Sequence, residues 1–287
     1  MQKLLNLGCG YRFNSSWTNL NFTATGEGVI AHNLTKGIPF PDNYFDVVYH
    51  SHLLEHFPTN ETQSFLNECF RVLRPQGVLR TAVPDLEQIA KTYLQALEQA
   101  ISGSSEWSAN YQWILLEMYD QTVRNSAGGK MSEYFLQEQI PNQEFVFQRI
   151  GVAAKKLMKT GQQRREKFQS HANSKNKLNF FFHKACGIVL NSNYRRELLL
   201  KIILGNEYKA LQVGRFRQSG EVHQWMYDRY SLAKMLEKSG LQNIIQRSAT
   251  ESYIPQWTSF HLDTEPDGSV YKPDSLYIEA IKPSGQL

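Results

Sequence analysis

The sequence predicts an α/β fold built on a mostly parallel sheet, and three observations predict it. The chain opens on an apolar run that ends in a glycine turn, Lys3-Leu-Leu-Asn-Leu-Gly-Cys-Gly10. Strand-like and helix-like segments then alternate to about residue 98, and the chain closes with a helix and two strand-like runs. A short apolar run bounded by glycine reads as a buried strand. Alternation with helices means parallel strands joined by crossovers.

Glycine at the first turn lets backbone N–H groups approach a ligand with no Cβ in the way. Trp17-Thr-Asn-Leu-Asn-Phe22 and Gly28-Val-Ile-Ala-His-Asn-Leu34 supply the next two strands, and the short gap after the first leaves room only for an abbreviated helix. The run Tyr44–Phe57 carries the fourth. The spacing of Phe65, Cys69, Val72 and Leu73 predicts an amphipathic helix over Asn60–Arg74, capped by Thr59 or Asn60 and ended by Pro75-Gln-Gly77. Gly77–Val83 is the fifth strand. A helix follows Pro84-Asp85, with Leu86, Ile89, Tyr93, Leu94 and Leu97 on one face.

Residues 99–218 carry mostly helical spacing (Trp113, Leu116, Tyr119, Asp120, Val123), interrupted at Ser126–Gly129 and Ile140–Asn142. They read as a helical insertion that caps the carboxyl ends of the strands. Ser231–Gly240 is a helix with a glycine stop, and two strands close the sheet. The expected division is 1–98 plus 219–287 for the sheet domain and 99–218 for the insertion.

At 287 residues the chain can hold one large domain or two small ones. The apolar stretches Phe180–Leu190 and Leu198–Leu204 are too short and too interrupted to span a bilayer. No basic segment followed by an apolar one opens the chain, as a secretory signal would require. Cys9, Cys69 and Cys186 are odd in number and widely spaced, with no disulfide framework or zinc spacing. A cytoplasmic protein is expected. From Arg149 to Arg217 there are 16 Lys or Arg against three acids, although the whole chain carries only +4. Such asymmetry suits an anionic partner.

The segments Gly8–Gly10, Ile38-Pro-Phe-Pro-Asp42, Tyr44-Phe-Asp-Val-Val, Leu54-Glu-His56, Glu68-Cys-Phe-Arg-Val-Leu-Arg-Pro75 and Gly77 follow one another in a specific order. In that order residues 3–85 resemble the class I S-adenosylmethionine (SAM) dependent methyltransferases, type-11 branch. Trp225-Met-Tyr-Asp228 through Ser275–Pro283 looks like the closing helix and strand pair of the same fold. The resemblance implies a Rossmann-like sheet, mostly parallel with an antiparallel closing strand, carrying a large helical insertion after strand five. It implies SAM as cofactor and an enzyme. Gly8, Cys9 and Gly10 would lie under the methionine part. Asn21 stands where the family places its ribose-binding acid and Asn33 where it places an acid near the adenine, with Leu34 and His50 completing the set.

His52-Leu-Leu-Glu-His56 has the spacing of a zinc-peptidase motif, but it follows a strand instead of lying on a helix. Ubiquinone-pathway O-methyltransferases carry a related Glu-x-x-Glu-His that contacts a metal. His52 replaces the first acid here, so no metal is assigned. His56, Asp85 and His223 are the candidate bases. Glu117, Asp120 and Arg124 share a helix face that could line the acceptor pocket or form an inter-helix polar network. Tyr227 and Asp228 read as structural.

Three functions follow as expectations. The first is methyl transfer to a small-molecule or glycan acceptor, in particular O-methylation of a sugar or natural product. The second is RNA methylation, with the basic residues on phosphates and Phe180–Phe182 stacking on bases. The third is a non-catalytic scaffold with a vestigial pocket, motivated by Asn21 and Asn33.

Overall fold

The computed structural model describes residues 2–172 and 191–284; Phe180–Phe182 and Cys186 fall outside them. Seven strands form one sheet: β1 (Leu4–Leu7), β2 (Thr18–Asn21), β3 (Val29–Ala31), β4 (Phe45–Ser51), β5 (Leu73–Pro84), β6 (Gln242–Arg247) and β7 (Ser275–Ile281). Their order is β3-β2-β1-β4-β5-β7-β6. β1 to β5 pair in parallel, whereas β7 runs antiparallel to β5 and β6. This is the Rossmann-like class I methyltransferase sheet with its antiparallel closing strand. The strand order reverses between β1 and β4, and ligands of open α/β sheets bind outside the carboxyl ends at such a switch point.

The described helices are α1 (Thr59–Val72), α2 (Leu86–Ile101), α3 (Ser105–Val123), α4 (Gly129–Tyr134), α5 (Gln143–Ile150), α6 (Val152–Ala172), α7 (Ser192–Leu204), α8 (Glu207–Arg217) and α9 (Arg229–Lys238). Two compact units result. One holds residues 1–122, 141–155 and 223–287; the other holds 123–140 and 156–222.

The faces of the sheet are covered by different means. On one, Phe65, Leu66, Cys69 and Val72 of α1 and Leu232 and Leu236 of α9 pack on Leu5, Leu7, Leu20 and Val48. On the other lie Trp17, Tyr49, Ile254, Trp257 and Leu262, with Phe260 against them. The expected short helix between β1 and β2 is absent: residues 8–17 form only turns. The β6–β7 connection takes its place. Trp17 meets Tyr49 and Trp257 at 6.1 Å and Phe260 at 5.2 Å between ring centroids, all edge-on. Aromatic side chains bury about 150–250 Å² each, so a few can cover what a helix would.

Three boundary expectations are corrected. The helix expected over Asn60–Arg74 ends at Val72, because Arg74 precedes Pro75 and is steered from helical backbone; Leu73 is extended and already belongs to β5. The residue before its first turn is Pro58, with no side-chain cap, so neither Thr59 nor Asn60 caps the helix. On α2 the buried residues are Ile89 and Ala96, facing Ile114 of α3, while Leu94 is exposed.

In the second unit Arg124 donates to the Glu221 carbonyl at 2.8 Å, and Arg215 pairs with Glu197 at 2.8 Å. Among the described residues no helix is long and apolar enough to cross a membrane.

Candidate functional site

The glycine turn after β1 is tied to β2. Cys9 N–H donates to the Leu20 carbonyl at 3.0 Å. Gly8 and Gly10 adopt φ of +63° and +54°, backbone that side chains rarely take. A Cβ on Gly8 would stand 2.7 Å from Leu53 Cδ1, whereas one on Gly10 would meet nothing within 4 Å. Gly8 is therefore required by packing, and the space over Gly10 is open. Burial raises the Cys9 thiol to about 11, so it is not a nucleophile.

Both amides at the expected acid positions brace local structure. Asn21 Oδ1 accepts from Gly10 N–H at 3.3 Å, and its Nδ2 donates to the Thr23 carbonyl at 3.0 Å. Asn33 Oδ1 accepts from Thr35 N–H at 3.0 Å and Thr35 Oγ1 at 2.9 Å, capping the short turn Leu34–Lys36. Leu34 is buried in the core. His50, at the end of β4, lies wholly inside, edge-on to Phe65 at 5.3 Å. Burial lowers its pKa to about 4, so it is neutral.

The remaining candidates converge or disperse clearly. Leu53, packed on Gly8, leads into the turn Leu54–His56, which carries Glu55 and His56 just past the carboxyl end of β4. His223 arrives from far along the chain. Its N–H donates to the Gln121 carbonyl at 2.9 Å, while Gln224 N–H and Trp225 N–H both donate to the Glu55 carbonyl, at 2.7 and 3.3 Å. The rings of His56 and His223 meet at right angles, 4.8 Å apart. His223 Nε2 lies 3.9 Å from Glu55 Oε1.

Glu55 has no exposed surface, and neither carboxylate oxygen accepts a hydrogen bond from the described residues. His52 Nδ1 lies 3.2 Å from Oε1 but without hydrogen-bond alignment. His52 itself is held by Ser275 Oγ, 2.8 Å from its Nε2. Burial pushes the Glu55 carboxyl up, yet the histidines around it, His52 foremost, hold it well below the usual range. Burial also drives His223 down to about 3. His223 is thus neutral and meets Glu55 as a dipole, while His52 Nδ1 stands closer to the carboxylate, at 3.2 Å against 3.9 Å.

Asp85 does not join this group through its side chain: Oδ1 accepts from Gln88 N–H at 3.1 Å, capping α2. Nor do the α3 residues act as one cluster. Glu117 is buried and takes both Arg149 Nε and Nη2 at 3.0 Å, an inter-helix ion pair between α3 and α5. Burial raises Glu117 to about 7 against the pull of Arg149. Asp120 is buried in the same unit, whereas Arg124 belongs to the other. Tyr227 is buried with its hydroxyl 3.2 Å from Thr62 Oγ1, and Asp228 caps α9. Two exposed aromatics escaped the sequence reading: Tyr11 (88%), directly after the glycine turn, and Phe22 (72%), directly after β2. Large rings next to both loop motifs were the available signal.

Residues 16–81 match the family model described as a methyltransferase domain. The match covers 66 of the 287 residues, from just before β2 into β5, and with the sheet order above it supports the expected class I methyltransferase domain and its use of S-adenosylmethionine. The chain is similar in structure to a SAM-dependent methyltransferase from Archaeoglobus fulgidus, at 11% identity over 98% of this chain and 86% of that one, TM-score 0.38. It is also similar to the CurJ carbon methyltransferase, at 10% identity over 99% of this chain and 49% of that one, TM-score 0.38. A third likeness, to the cyclase SpnF, has 20% identity over 29% of this chain and 38% of that one, TM-score 0.24. The chain thus spans less than half the length of CurJ and of SpnF. No curated protein matches the sequence.

The backbone at the glycine turn leaves room for a cofactor. Gly10 has left-handed backbone and open space above it, which a side chain would enter.

Proposed function

We propose that this protein transfers the methyl group of SAM to a hydroxyl of a small-molecule or glycan acceptor, a sugar or natural product in particular. The observation that carries the reading is the Glu55–His56–His223 group just past the carboxyl end of β4, on the turn that follows Leu53 packed against Gly8. SAM supplies a methyl already activated on a sulfonium. The chain's own task is then to hold the acceptor oxygen in line, which is worth effective molarities of about 10⁵–10⁸ M. A base that takes the hydroxyl proton adds about 10²–10⁴-fold. His56, half-buried and backed by Glu55 and His223, is the group placed to do so; Asp85 is engaged as a cap.

Asn21 and Asn33 enter as neutral partners of the cofactor's hydroxyls and base, and Tyr11 and Phe22 offer faces for stacking. A neutral hydrogen bond contributes about 0.5–1.5 kcal/mol against about 1.5–3 for a charged one. The basic balance of residues 149–217 favours an anionic acceptor, such as a phosphate-linked sugar. Arg149 is not available to it, being paired with Glu117. A cytoplasmic setting belongs to the same proposal.

The test begins with calorimetric titration of SAM, followed by labelled-methyl transfer to hydroxylated and phosphorylated acceptors. Micromolar binding with transfer to at least one acceptor is expected, and Asn21→Asp should tighten binding about tenfold, or roughly 1.4 kcal/mol. Binding without transfer to any acceptor overturns the acceptor class. Millimolar or undetectable binding points instead to a non-catalytic scaffold. Salt-sensitive retention on RNA with methylation of it would make nucleic acid the acceptor.

A further inference from the structure

Glu55 is a buried carboxylate set among imidazoles, with His52 Nδ1 at 3.2 Å and His223 Nε2 at 3.9 Å from its Oε1. Its side chain is 0% exposed, and both oxygens lack a hydrogen bond among the described residues. A buried carboxylate is costly unless it is paired and hydrogen-bonded, or bound to a metal. Around it stand two imidazoles from separate parts of the chain. One donor atom each from Glu55, His56 and His223 lies within 4.8 Å of the other two.

We propose that Glu55, His56 and His223 bind one divalent transition-metal cation of the zinc class. One carboxylate and two imidazoles are a set that zinc accepts, and three protein donors leave a fourth position for water or a hydroxyl. The donors sit on anchored backbone. Glu55 and His56 share the short turn after β4, and the Glu55 carbonyl itself receives the Gln224 and Trp225 N–H groups that follow His223. Zinc–donor distances of about 2.0–2.2 Å put donors roughly 3.4 Å apart, so loading requires side-chain rotations of about an ångström.

His52 takes the outer position. Its Nδ1 faces the Glu55 carboxylate at 3.2 Å, and its Nε2 is fixed by Ser275 Oγ at 2.8 Å. It orients a ligand without being one, an arrangement whose loss typically weakens metal binding about 10–100-fold. The sequence motif therefore misleads in part. Of its two histidines only His56 is a ligand, and the third ligand, His223, is invisible to any local pattern. The inference rests on the proposed function's site and changes one role there: His56 bound to the cation has no lone pair left for the acceptor's proton, so in the loaded protein that proton passes to the hydroxide in the fourth position, and binding of the cation is read separately from methyl transfer.

The experiment uses the full chain, stripped with chelator and titrated with zinc sulfate by calorimetry. One equivalent is expected to bind, and cobalt(II) should develop the visible absorption of a tetrahedral site. Glu55→Gln and His223→Ala should each weaken binding at least tenfold, His52→Ala should weaken it with the stoichiometry kept, and the exposed His261→Ala should leave it unchanged. Circular dichroism checks that each variant folds. Should His223→Ala unfold, the near-isosteric Glu55→Gln decides: zinc should raise the melting temperature of the wild type and not of this variant. No binding by the wild type, or undiminished binding by Glu55→Gln, overturns the proposal. Zinc binding with no methyl transfer would leave the site standing and remove only the acceptor reading.

Discussion

Arg80 and Glu279 face each other directly across the antiparallel β5–β7 pair, 2.9 Å apart, and neither side chain has exposed surface. The same guanidinium reaches Asp263 at 2.8 Å and the Glu251 and Ser248 carbonyls at 2.9 and 2.8 Å. It thereby joins the closing strand to the connection that covers the aromatic face of the sheet.

Replacing Arg80 takes the guanidinium from the buried Asp263 and leaves the buried Glu279 with only Arg247, 3.4 Å away. Arg80→Leu should lower the unfolding free energy by about 3–5 kcal/mol, the range for breaking one side of a buried pair. Denaturant unfolding measures it. A loss below about 1 kcal/mol, the scale of an exposed pair, would mean the network is not the latch described.

The two loop glycines should separate by readout. Each →Ala change carries about 1–2 kcal/mol of left-handed backbone strain. Gly8→Ala adds the 2.7 Å approach to Leu53, so it should destabilise the fold further. Gly10→Ala meets only open space, so it should fold and yet bind SAM more than tenfold more weakly by calorimetry. Equal affinity in Gly10→Ala would place the cofactor elsewhere.

Cys9 should resist alkylation at neutral pH. With its thiol raised to about 11 by burial, the thiolate fraction at pH 7.5 is on the order of 10⁻³ or less. Peptide mapping after iodoacetamide should find Cys9 unmodified, with a rate that climbs about tenfold per pH unit toward 11. Added SAM should slow it further. Rapid labelling at pH 7.5 would contradict the burial of the turn.

Asp228 accepts from Tyr230 N–H at 2.9 Å and Ser231 N–H at 2.8 Å. These bonds favour the ionised form, with the Ser231 N–H foremost, and hold its carboxyl below the ordinary 3.8. Its contribution is present above the unfolded pKa and is lost as pH falls below 3.8 through the folded value. Asp228→Ala should cost about 1 kcal/mol at pH 7 and much less at pH 2–3. A difference independent of pH would show that the cap acts without its charge.

Much of the sheet was legible because its strands announce themselves locally. Apolar runs ended by Gly8-Cys-Gly10 and by Pro84-Asp85 carry their own stop signals, and the stripe Phe65, Cys69 and Val72 has the period of a helix. Helix ends were less legible, since Arg74 is helix-permissive alone and is excluded only by the proline after it. Leu94 kept its place in the periodic stripe but faces out, because the partner helix presents Ile114 to Ile89 and Ala96.

The residues themselves determined an α/β sheet, a glycine turn after its first strand and a basic middle segment, because period, turn chemistry and charge reside in short stretches of chain. Tertiary structure decided the rest. It covered the helix-poor face with Trp17, Tyr49 and Trp257, drew Arg80 between Asp263 and Glu279, and brought His223 to Glu55. Such pairings depend on which distant segments share a strand neighbour, and no local pattern encodes that. A buried charge discloses its partner only when the fold has closed around both.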